Sequence, residues 1–216
     1  MDRFTARNLE LYHSAGGGVT LLDILDHTLT PMGGRMMKRW LALPLKDATK
    51  ISRRHDVVDY FIQNLPALDQ LQRQLQQTGD LERLASKTAT GKISPREVYQ
   101  LYQSLEALLP VKKLCASAKT EVLHTLADRV QPCDNLRQRI KKTLSEDAPV
   151  SIQKGNVIAP GYSEALDELR TLKRNSKHVL DQLEEEESNK TGISSLKIGF
   201  NNVFGYYFEV RNTHKD

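Results

Sequence analysis

The chain has 216 residues, 39% of them hydrophobic, and carries 31 Lys and Arg against 27 Asp and Glu, for a formal net charge of +4. That length suits one ordinary domain with an appendage, and the balance of apolar and charged residues excludes wholesale disorder. Only two cysteines, Cys115 and Cys133, are present, which excludes a disulfide framework or a Cys-x-x-Cys metal knuckle. No apolar run reaches the roughly 18 residues of a membrane span, and Met1-Asp2-Arg3-Phe4 opens without a signal peptide's apolar stretch. The expectation is a cytoplasmic protein with no membrane partner, whose small positive charge permits a polyanion but does not name one.

In chain order, Asn8-Leu9-Glu10-Leu11 reads as a short strand before the Gly16-Gly17-Gly18 break. Thr20 is a candidate N-cap for a helix carrying Leu21, Leu22, Ile24, Leu25 and Leu29, which Pro31 ends. A second helix follows, with Met32, Met36, Trp40 and Leu43 on one face, and it stops at Pro44. From Ala48 to about Leu144 the period stays helical. Asp80 and Ser94 have helix-start character, and Ser94-Pro95 with Glu97 three residues on has capping-box spacing. Gly91, Pro110 and Pro132 punctuate these helices.

Residues 148–161 read as a connector with some extended character. The longest uninterrupted pattern then runs from about Tyr162 to Asn189, on the order of 40 Å at 1.5 Å per residue. Its narrow stripe of Leu166, Leu169, Leu172, Val179, Leu180 and Leu183 suits a strut or a helix partner, not a core helix. Glu184-Glu185-Glu186-Glu187 occupies the end where the macrodipole disfavours acid, so that end must fray or be held by a neighbour. The period then becomes two: Leu196, Ile198 and Phe200 alternate, Asn201-Asn202 offers a turn, and Phe204, Tyr206, Phe208 and Val210 alternate again. This is a β-hairpin, with Gly205 marking a bulge or a close backbone approach. The chain is expected to stop partway through the domain that the hairpin begins.

Catalytic and ligand motifs are incomplete throughout. Gly16-Gly17-Gly18 lacks the Gly-Lys-Ser/Thr of a phosphate loop, and Gly91-Lys92 is followed by Ile93 instead of a hydroxyl. None of His13, His27, His55, His124, His178 and His214 has a second His or Cys at helical metal-pair spacing. Cys115 follows Lys112 and Lys113, which could lower a thiol pKa, although a half-buried helix Cys fits as well. Basic residues number eight against three acids between Val111 and Lys142, a pattern that on helices usually means solvation. In the hairpin region Lys190, Lys197, Arg211 and Lys215 outnumber Glu209 and Asp216, and Asn201 with the turn amides would add neutral phosphate donors.

Four ordered blocks, the first made of three segments, carry a resemblance over essentially the whole chain. Arg7-Asn8-Leu9-Glu10-Leu11, Thr20-Leu21-Leu22-Asp23-Ile24-Leu25-Asp26 and Thr30-Pro31-Met32-Gly33-Gly34-Arg35-Met36-Met37-Lys38-Arg39-Trp40-Leu41 open it. Gly79-Asp80-Leu81-Glu82-Arg83, Ile158-Ala159-Pro160-Gly161-Tyr162, and Leu196 to Asn201 with Gly205-Tyr206-Tyr207 complete it. The sequence resembles the core of the MutS family of DNA mismatch-recognition ATPases. In that family a helical core sends a long lever to a small β clamp that grips DNA.

The resemblance implies a mainly α fold: a multi-helix core and lever over residues 1–189, and the start of a truncated β clamp over 190–216. It also implies a whole protein that is a homodimer, binds mismatched double-stranded DNA, and uses ATP and Mg in a domain this chain lacks. The chain itself is expected to be no enzyme and to hold no cofactor or metal. Its DNA-backbone candidates are Lys190, Lys197, Asn201, Arg211 and Lys215. The competing reading is a helical scaffold that binds another protein along the lever stripe without touching DNA.

Overall fold

The computed structural model describes residues 2–211, and the chain packs as two compact units, Met1–Ala159 and Pro160–Asp216. It is mainly α with one small antiparallel hairpin, as the periodicities predict.

In the first unit, α1 (Arg3–Asn8) stands where the sequence suggested the start of a strand. Asp2 accepts hydrogen bonds from the Thr5 amide and hydroxyl, and this cap outweighs the strand-like run Asn8–Leu11. Leu11 is nonetheless buried, so its apolar character belongs to the core and not to a sheet. Thr20 caps α2 (Leu21–Leu25) with a reciprocal box to Asp23, and the carbonyls of Glu10 and Leu11 accept the next two amides, from Leu21 and Leu22. The helix ends at Leu25, short of the expected Leu29, because the Asp26 side chain captures the Thr28 amide and hydroxyl in a turn. Pro31 then opens α3 (Pro31–Ala42) at its first turn, capped by Thr30.

Helices α4 (Ala48–Gln63), α5 (Leu65–Gln77), α6 (Leu81–Ala89), α7 (Pro95–Ser117), α8 (Glu121–Arg129) and α9 (Asp134–Thr143) complete this unit. The core is built where α7 and α8 bury Leu114, Cys115, Ala118, Leu123 and Ala127 against Val57, Tyr60 and Phe61 of α4 and Ala67 and Leu71 of α5. Ser94 closes its predicted capping box with Glu97, and Asp80 caps α6. Pro110 does not punctuate: α7 runs through it. An internal proline costs about 3 kcal/mol, and burial of Tyr102, Leu105, Ala107, Leu114 and Cys115 on both sides offsets that. The connector forms a 3-10 turn, Ile152–Lys154, and one bridge between Leu144 and Ile158.

The described residues of the second unit form α10 (Glu164–Thr191), β1 (Lys197–Asn201) and β2 (Gly205–Glu209). The Asp167 carboxylate accepts the Gly161 amide ahead of the first turn, and Gly192, with φ of +70°, ends the helix. Pairing runs Lys197 opposite Glu209, Ile198 opposite Phe208, Gly199 opposite Tyr207, Phe200 opposite Tyr206 and Asn201 opposite Gly205. Gly205 has φ of +77° and open space around it, so it serves the turn and not a close approach.

Candidate nucleic-acid interface

The hairpin turn is held by Asn201, whose side-chain oxygen accepts the Val203 amide at 2.7 Å. This leaves the Asn201 side-chain nitrogen as the atom able to donate outward. The tip itself is apolar: Val203 and Phe204 are about 80% exposed. The cations sit instead at the other end. Lys197 opens β1 opposite Glu209, and Arg211 follows β2 by two residues, both exposed. Lys190 lies in the last turn of α10 and donates to Glu187 at 2.7 Å, which raises its pKa. That ion pair is solvent-exposed and worth little, so an incoming phosphate can compete for the ammonium. Lys215 lies outside the described residues. The structure thus brings Lys197 and Arg211 to the base of the hairpin and leaves Asn201 at the turn, where the sequence had suggested a phosphate-facing tip.

The basic stretch between Val111 and Lys142 is partly spent within the unit. Lys112 donates to the Val130 carbonyl, and Arg137 pairs with Glu106 and Asp134. Burial pushes the Cys115 thiol pKa up, opposite to the lowering expected from lysine neighbours. Among the described residues no three His, Cys, Asp or Glu side chains group as a metal site.

A polar cavity of about 320 Å³ is lined by Thr78, Gly79, Asp80, Arg83, Glu97 and Ser104, among others. Its two carboxylates are held ionised. The Lys87 ammonium and the Ser94 amide bring Glu97 down to about 2, and the Arg35 guanidinium brings Asp80 to about 2. Groups so acidic stay charged at neutral pH and suit ion pairing rather than proton transfer.

The interactions that explain the motif blocks were not readable from the sequence. Arg35 of α3 forks onto Asp80 at 2.7 and 2.9 Å and reaches Glu82 through Nε at 2.9 Å. The Gly-Gly-Arg and Gly-Asp-Leu-Glu-Arg blocks are therefore two halves of one charge-assisted joint. Gly79, next to the joint, faces a different neighbour, Ser104. Its amide donates to the buried Ser104 hydroxyl at 2.9 Å, and a Cβ there would lie 3.0 Å from that oxygen.

The described residues thus form a capped helical core in one unit and, in the other, a long single helix leading into a hairpin. The sequence matches the family model described as MutS domain III over residues 4–197, and the chain belongs to that family. Over its whole length it is 58% identical to the DNA mismatch repair protein MutS of Flavobacterium johnsoniae and 59% identical to that of Christiangramia forsetii. Identity to the protein of the same name from Bacteroides thetaiotaomicron is 46%, again over all of this chain. The chain spans about a quarter of the length of these curated relatives. No helix among the described residues is long and apolar enough to cross a membrane.

Proposed function

We propose that this chain is the core and lever of a mismatch-recognition ATPase, and that its hairpin begins a clamp that holds double-stranded DNA by the phosphates. Functionally it divides into a core and lever over residues 1–189 and the start of the clamp over 190–216. In the whole protein, a cytoplasmic homodimer, ATP and Mg act in another domain, and this chain performs no catalysis. Nucleotide state there moves packed helices as near-rigid bodies, and α10 carries the movement to the hairpin.

The single observation behind this reading is the continuity of the second unit. A 28-residue helix, about 42 Å long, leads within five residues into a hairpin flanked by Lys190, Lys197 and Arg211. Contacts from these cations, from the Asn201 side-chain nitrogen and from Lys215 would be to phosphate. They would be independent of sequence and weakened by salt. Discrimination of the mismatch then falls to other parts of the protein.

Gel-shift titration of the longer protein carrying Lys197→Ala with Arg211→Ala tests this. Removing one cation from a phosphate is expected to reduce the slope of log K against log salt by about 0.9, so the pair should flatten it by nearly 2. Unchanged affinity and slope would remove both residues from the interface.

One observation favours the scaffold reading. Leu169, Leu172, Val179 and Leu183 are exposed on α10 at successive steps of three, seven and four, the spacing of a helix partner. Sedimentation of the chain with the longer protein's remaining segments added in trans discriminates between the two. Capture of those segments along the stripe supports the lever, whereas capture of an unrelated helix with no DNA affinity supports the scaffold.

A further inference from the structure

The acidic end of α10 is tied to a neighbouring strand. Glu184 lies in the run that the helix dipole disfavours, yet its Oε2 accepts the backbone amide of Ile198 at 3.0 Å in a partly buried contact. Ile198 is the second residue of β1. In an antiparallel pair an amide faces either the partner strand or the open edge, so the amide held by Glu184 lies on the edge that β2 does not use. One turn further along α10, Ser188 Oγ donates to the Ile193 carbonyl at 2.9 Å. Glu184 and Ser188 are four residues apart and share a helix face, so both bonds reach the hairpin side from one stripe. Between them and the strand, Leu196 is the one buried hydrophobic side chain among the described residues of this unit.

The link from Gly192 to Leu196 is only five residues long, but it turns through a left-handed glycine and would by itself leave the hairpin free to swivel. A carboxylate bound to a backbone amide is charge-assisted and stronger than a neutral bond, and it fixes direction as well as distance. We propose that Glu184 is a positioning residue: it locks β1 to α10 through the Ile198 amide and sets the angle at which the helix presents the hairpin. This rests on reading the unit as lever and clamp, since a lever transmits a rotation only across a joint that does not slip. It also gives the acidic run a purpose. Glu187 pairs with Lys190 within the helix, whereas Glu184 spends its charge on the strand.

The test uses the 216-residue chain with Cys133→Ser, spin labels at Asp181→Cys and Asn202→Cys, and the buried Cys115 left in place. The unsubstituted joint should give a narrow distance distribution between helix and turn. Glu184→Ala should broaden it and raise amide exchange at Ile198 roughly tenfold, with helicity by circular dichroism unchanged. Glu184→Gln keeps an acceptor oxygen but not the charge, so it should restore much of the narrowing and of the protection, falling between the Ala variant and the unsubstituted chain. A Glu184→Ala chain whose distribution and Ile198 exchange match the unsubstituted chain would overturn the proposal, and so would a Gln variant as loose as the Ala variant. The same Glu184→Ala change in the longer protein separates the joint from the reading it rests on. If the joint loosens but ATP still releases DNA as before, Glu184 positions the hairpin and it is transmission through α10 that fails.

Discussion

In the first unit α4, α5, α7 and α8 share a buried core, whereas among the described residues of the second a 28-residue helix and a hairpin bury one hydrophobic side chain, Leu196. The first unit is held by apolar burial and supplemented by ion pairs between helices. The second is held by local hydrogen bonds: Gly161 to Asp167, Ser188 to Ile193 and Ile198 to Glu184. A body that must keep its shape needs the first arrangement. Under the proposed function the second unit is a strut that passes on a movement, which needs only stiffness along its length and a firm joint at its end.

This contrast predicts unequal responses to the same chemical change. Leu123→Ala in α8, where the side chain is 2% exposed, should cost about 2–5 kcal/mol and lower the urea midpoint markedly. A cost under about 1 kcal/mol would mean that the core between α7 and α8 is not what stabilises the first unit. Next in size is Gly199→Ala. Its Cβ would lie 2.7 Å from Tyr207 Cζ across the strands, so the ring must move, at about 1 kcal/mol. NMR cross-peaks between the Tyr207 ring and residue 199 should weaken, while α10 keeps its helicity.

Acid should act on the first unit through Glu97 and Asp80. Both have folded-state pKa values near 2, below their ordinary 4.5 and 3.8. A depressed carboxylate pKa adds stability above the unfolded value and loses it as pH falls through the folded one. The urea midpoint should therefore decline between about pH 4.5 and 2, and Glu97→Gln should make that decline shallower; an equal slope in the variant would contradict the assignment. The smallest effect belongs to Leu169→Ala on α10. With the side chain 62% exposed, the change should stay within about 0.5 kcal/mol in this chain. A larger loss would show that the stripe is covered.

Legibility in the sequence followed range. Caps act over three residues, so Thr20, Asp80 and Ser94 were readable, and the change of period at Leu196 exposed the hairpin. Family blocks were readable as words, but their physical content was not. Arg35 meets Asp80 and Glu82 at separations of 45 and 47 residues, which no local pattern encodes. Pro110 reads as a break in the sequence because a proline's local penalty says nothing of the core on either side. The α1 cap at Asp2 is equally local, and against it the alternation of Asn8 to Leu11 is a coincidence of four residues. At the candidate interface the cations were legible from composition, whereas their place at the base of the hairpin depended on register.

Under the proposed function the second unit carries nucleotide state to a hairpin on DNA. Amide exchange of residues 197–209 in the longer protein, measured free, on duplex DNA, and on DNA with ATP, distinguishes a coupled hairpin from an uncoupled one. These amides should be protected on DNA and lose that protection when ATP is added. Exchange that is the same in all three states would contradict it.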